Sequence, residues 1–112
     1  MGLTILIIED EINARENISE YLSSRGFITI GAGTLAEGRA IIERGDADVV
    51  LLDVMLPDGY GPNLLLETAH IPYRPPIIII TAYGDVPMAV EAMRNGAQDF
   101  LQKPLKYSLL CM

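Results

Sequence analysis

Three short runs are apolar at nearly every position: "LTILII" (Leu3–Ile8), "DVVLLD" (Asp48–Asp53) and "IIIIT" (Ile77–Thr81). They are dominated by Ile, Val and Leu and are too short for ordinary helices, so they read as strands. A strand that is apolar on both alternations must be covered on both faces, which is the condition of a parallel sheet. Parallel neighbours need a crossover long enough to hold a helix. The intervening sequence supplies helical patterns. Ala14, Ile18, Tyr21 and Leu22 follow a helical stripe that Gly26 can close, and Thr34 to Glu37 has the spacing of a capping box for a second helix ending at Gly45. A third helix runs through "NLLLETA" after Pro62. A fourth begins after Asp85, carries Val86, Ala89, Val90 and Met93 on one face, and stops at Gly96. "FITIGA" (Phe27–Ala32) and "DFLQ" (Asp99–Gln102) are weaker strands. Strand and helix in strict alternation predict an α/β, doubly wound parallel sheet of five strands.

The 112 residues suit one domain, and half of them are hydrophobic, enough for a core. A net charge of −7 and a pI near 4.5 argue against direct binding to nucleic acid or to an anionic membrane surface. The longest apolar stretches are far short of a membrane span, no signal peptide precedes the first strand, and the single cysteine, Cys111, permits no internal disulfide. The expectation is a soluble, cytoplasmic, acidic domain.

In open parallel sheets, ligands bind beyond the carboxyl ends of the strands. There the first strand runs into Glu9, Asp10 and Glu11, the third ends in Asp53, the fourth in Thr81 followed by small Ala82, and the fifth leads to Lys103 and Pro104. Several carboxylates on one rim repel one another and call for a cation. Oxygen-only ligation suits Mg2+ or Ca2+, and an incomplete set of protein ligands suits Mg2+, which keeps waters. A metal, a hydroxyl and an ammonium beside a free carboxylate make a pocket for a phosphoryl group, with Asp53 as the nucleophile.

The motifs "ILIIEDE", "LLDVMLPDGYG", "IIITAYGD" and "GAQDFLQKP", in this order and spacing, resemble the receiver domain of two-component response regulators. The stretch from Thr81 to Leu105 looks most like receivers of nitrogen-regulator-type activators. The resemblance implies a flavodoxin-like fold with strand order 2-1-3-4-5, and a single receiver domain over residues 1–112, the N-terminal part of a longer bacterial regulator. It implies that Asp53 accepts a phosphoryl group from a histidine kinase or phosphotransfer protein. Mg2+ (or Mn2+) is then held by Asp10, Asp53 and the backbone carbonyl of Met55, with Glu9 acting through a metal-bound water. Thr81, Ala82 and Lys103 match the switch and phosphate-binding positions, Phe100 the switch aromatic, and Lys103–Pro104 a cis peptide. Such a domain is a switch controlling an effector domain or partner, not an enzyme, assisting only its own phosphorylation and dephosphorylation.

Two features depart from that pattern. Gly59 and Pro62 stand where relatives more often carry a non-glycine residue and a leucine, and only "LKYSLLCM" follows the lysine–proline step, about two helical turns. A truncated fifth helix, with Leu105, Leu109 and Leu110 as its apolar residues, leaves apolar surface beside the first helix and predicts a homodimer. Tyr83 is a candidate gate over Asp53, and His70 reads as a surface residue. The alternatives are a Mg-dependent phosphatase-like enzyme with an aspartyl-phosphate intermediate, a flavin-binding protein and a non-catalytic flavodoxin-like interaction module. Met55 counts against the first, standing where a phosphatase carries a second aspartate as general acid–base. The acidic first loop would repel a flavin phosphate, and an interaction module has no need of Asp10, Asp53, Thr81 and Lys103 together.

Overall fold

The computed structural model describes residues 2–82 and 86–103. In chain order the elements are β1 (Thr4–Ile8), α1 (Ile12–Ser24), β2 (Ile28–Ala32), α2 (Leu35–Glu43), β3 (Val49–Asp53), β4 (Met55–Leu56), β5 (Gly59–Tyr60), α3 (Asn63–Glu67), β6 (Ile77–Thr81), α4 (Val86–Arg94) and β7 (Asp99–Gln102). Five strands form a parallel sheet in the order β2-β1-β3-β6-β7, and β4 and β5 form a separate antiparallel hairpin. Without the hairpin this is the expected 2-1-3-4-5 order, with the three apolar runs at the centre. The expectations for Tyr83, for the Lys103–Pro104 bond, and for a short fifth helix with Leu105, Leu109 and Leu110 lie outside the described residues.

Strand alternation divides the core in two. Ile5, Ile7, Leu51 and Ile80 pack with Ile18 and Leu22 of α1 on one face. Leu6, Ile8, Leu52, Ile77 and Ile79 meet Ile41 and Ile42 of α2, Leu64 and Leu65 of α3, and Ala92 of α4 on the other. Both faces are therefore covered by helices, as the uninterrupted apolar runs require. Beside α1 a groove of about 450 Å3 stays open among the described residues, lined by Ile5, Leu22, Phe27, Leu51, Ile78 and Leu101.

Helix ends follow their local chemistry. Thr34 caps α2: its Oγ1 accepts from the Glu37 N–H at 3.1 Å and donates to the Glu37 carboxylate. Gly26, Gly45 and Gly96, at φ of 93°, 76° and 105°, take the left-handed conformation that closes helices at little steric cost. One expectation is corrected. Glu11 does not join the rim; its carboxylate caps α1, accepting from the N–H groups of Asn13 and Ala14 at 3.2 and 2.6 Å. The apolar stripe of α4 shares one face, as expected, and that face is turned from the core. Val86 is 76% exposed and Val90 and Met93 nearly half exposed, while Ala92 and Met88 turn inward.

Candidate functional site

Register decides what shares the rim. Ile8 pairs with Leu52, Asp53 with Ile80, and Thr81 with Gln102. Glu9, Asp53, Thr81 and Lys103 thus end four neighbouring strands at nearly one level. The backbone N–H of Lys103 donates to the Thr81 carbonyl at 2.7 Å, which anchors the base of the lysine. Its Nζ donates to the Glu9 carboxylate and, at 3.2 Å, to Oδ2 of Asp53. Oδ1 of Asp53 accepts from the Val54 N–H at 2.7 Å. Carboxylate oxygens of Glu9, Asp10 and Asp53 lie within 4.8 Å of one another.

Asp10 is exposed, whereas Glu9 and Asp53 are 1% and 7% exposed. Two buried carboxylates side by side would be costly, and Lys103 is what makes them tolerable. Burial first, and then the neighbouring Asp53, push the Glu9 carboxyl from 4.5 up to about 7, against the opposing pull of Lys103. Burial also works against the Lys103 ammonium. Its bond to Glu9 and the attraction of Asp53 outweigh that and hold its pKa above the usual lysine value. Three carboxylates against one ammonium leave the cluster short of positive charge. Closely set oxygens with no nitrogen or sulfur donor fit a hard divalent cation.

Thr81 is buried at the end of β6 and Ala82 is exposed just beyond it. Phe100 is half-buried on β7 beside Ile79 and packs against the core. Met55 opens the hairpin two residues after Asp53, paired with Tyr60. His70 is exposed. Two residues escape sequence reasoning. Nη1 of Arg15 donates to the Glu9 carbonyl at 2.8 Å, and its stem lies over Gly31, where a Cβ would come within 2.9 Å of Arg15 Cδ. Asp58 turns away from the rim to α2, accepting from the Leu35 and Ala36 N–H groups. Neither contact has a local signature, although the small residue at Gly31 marks a close approach.

The model of the response regulator receiver domain matches residues 5–112. The chain belongs to this family. Among curated relatives, this receiver resembles the transcriptional regulatory protein DpiA of Escherichia coli (strain K12), with 43% identity over 110 residues, 96% of this chain and 49% of that protein. The receiver thus spans about half the length of that relative. Among solved structures it resembles the NtrC4 receiver domain, a beryllofluoride-activated dimer, at 31% identity and a TM-score of 0.89, covering 96% of this chain and 89% of that one. A CheY-like receiver domain protein from Methanospirillum hungatei JF-1 superposes with a TM-score of 0.91 at 27% identity, covering 99% of this chain and 89% of that one. The family is one of regulatory domains.

Proposed function

We propose that this receiver is a phosphorylation-dependent switch in which Asp53 takes a phosphoryl group from a histidine kinase or phosphotransfer protein. The observation that carries this reading is the Asp53 carboxylate, buried at the end of a central strand, in hydrogen-bond reach of Lys103 and among the oxygens of Glu9 and Asp10. A carboxylate oxygen of Asp53 attacks phosphorus. The P–N bond to the donor imidazole breaks with its electron pair left on nitrogen, and the product is an aspartyl phosphate. Lys103 shifts from its carboxylate partners to the transferred oxygens, and the Thr81 hydroxyl meets another. Asp10, Asp53 and the Met55 carbonyl would hold Mg2+ (or Mn2+), with Glu9 acting through water; the metal supplies neutralisation of charge on the phosphoryl oxygens.

Movement of Thr81 leaves space beneath β6, and Phe100 turns in to fill it. This alters the surface of α4 and β7, where Val86, Val90 and Met93 already stand exposed. An effector domain or downstream protein reads that surface, in keeping with the transcriptional regulatory role in DpiA's name. The domain is the N-terminal part of a longer regulator, acts in the bacterial cytoplasm, and is no enzyme beyond assisting its own phosphorylation and dephosphorylation. Among the described residues no helix is long and apolar enough to cross a membrane. A second copy of the chain is a further partner, supported by the dimer of the similar NtrC4 receiver and by the apolar groove beside α1. The deciding experiment is incubation with acetyl phosphate and Mg2+ followed by intact-mass measurement. One added phosphate is expected in the wild type and none in Asp53→Asn, and an equal yield in both would refute the assignment.

A further inference from the structure

The loop that follows Asp53 is held from two sides. On the rim side, Gly61 lies against the Asp53 carbonyl so closely that a Cβ would overlap it, and its N–H donates to the Val54 carbonyl at 2.6 Å. On the other side Asp58, at the tip of the β4–β5 hairpin, spends both carboxylate oxygens on α2. Oδ1 accepts from the Leu35 N–H at 2.8 Å and Oδ2 from the Ala36 N–H at 3.0 Å. The next two N–H groups of α2, those of Glu37 and Gly38, go to the side chain and carbonyl of Thr34. The N–H groups of Leu35, Ala36 and Glu37, three of the four that a helix start leaves open, are thus satisfied, two of them by a residue 22 or 23 positions away. Gly59 reinforces the contact: its φ is 153°, and a Cβ there would sit 3.1 Å from Leu35 Cδ1. The glycine lets the hairpin rest on the first turn of α2.

We propose that Asp58 is a positioning residue for the metal, fixing the hairpin on α2 so that the Met55 carbonyl stays aimed at the site of Asp10 and Asp53. The proposal rests on the phosphoacceptor reading given above, because that reading makes the Met55 carbonyl a ligand. Met55 and Asp58 flank the same two-residue turn arm, so freeing the tip frees the carbonyl. The bonds from Leu35 and Ala36 also hold the Asp58 carboxyl below the usual aspartate value.

Thr34 provides the control, since Thr34→Ala removes a cap from the same helix end without touching the hairpin. The amide resonances of Asp10, Asp53 and Met55 are followed through a Mg2+ titration in the wild type, Asp58→Ala, Asp58→Asn and Thr34→Ala. Asp58→Ala should raise the half-saturating Mg2+ concentration about ten-fold, the lower end for residues that orient a ligand, while Thr34→Ala should stay within about two-fold. Asp58→Asn, which keeps one acceptor oxygen, should fall between. Both alanine variants should melt at lower temperature, which separates loss of a cap from loss of aim. Wild-type half-saturation in Asp58→Ala, or equal shifts in the two alanine variants, overturns the proposal. If the wild type itself never saturates, the metal reading falls and the proposal with it.

Discussion

Replacing Glu9 with glutamine should flatten the pH dependence of folding stability in the absence of divalent cations. Burial, and next the adjacent Asp53, raise the Glu9 carboxyl from 4.5 in the unfolded chain to about 7 in the fold. The folded value is the higher one, so folding favours the protonated acid. Its contribution is complete below pH 4.5, declines as the pH rises, and is gone above about pH 7. At about 1.4 kcal/mol per pH unit, that interval amounts to at most about 3 kcal/mol, a large part of a small domain's stability. Urea unfolding followed by circular dichroism, in EDTA and across that window, measures it. The wild type should lose up to about 3 kcal/mol more than Glu9→Gln between the two ends. Adding Mg2+ at the upper end should restore part of the loss, since a cation bound to the folded state stabilises it. Parallel pH profiles for the two chains would show that Glu9 carries no such penalty and would refute the argument.

Thr81→Val keeps the shape and buried position of Thr81 but removes its hydroxyl. Phosphate incorporation should persist, while the amide shifts that phosphorylation produces in α4 and β7 should shrink by at least half, roughly as expected if one switch hydroxyl carries the coupling. Shifts as large as wild type would exclude Thr81 as the switch. Light scattering with and without acetyl phosphate should reveal a dimer of this receiver, and monomer at every concentration in both conditions would reject self-association.

Much of this protein can be read from its chain. The runs at Leu3–Ile8, Asp48–Asp53 and Ile77–Thr81 are apolar on both alternations, and that alone demands a sheet covered on both faces. Thr34, Gly26, Gly45 and Gly96 mark helix ends through chemistry confined to a few neighbouring residues. The grouping of Glu9, Asp10, Asp53, Thr81 and Lys103 was legible because parallel strands bring every carboxyl end to one rim. The tertiary structure alone decided what each group does there. Lys103 there serves Glu9 and Asp53 at once, residues 94 and 50 positions away. The inward side of α4 carries Ala92 and Met88, not the exposed Val86, Val90 and Met93. Asp58 found its partners on a helix that begins 23 residues before it, and Arg15 found the Glu9 carbonyl across Gly31. Local sequence carries periodicity and capping because those interactions span at most a few residues. Partners brought together by crossovers depend on strand register and helix placement, which exist only once the chain has folded.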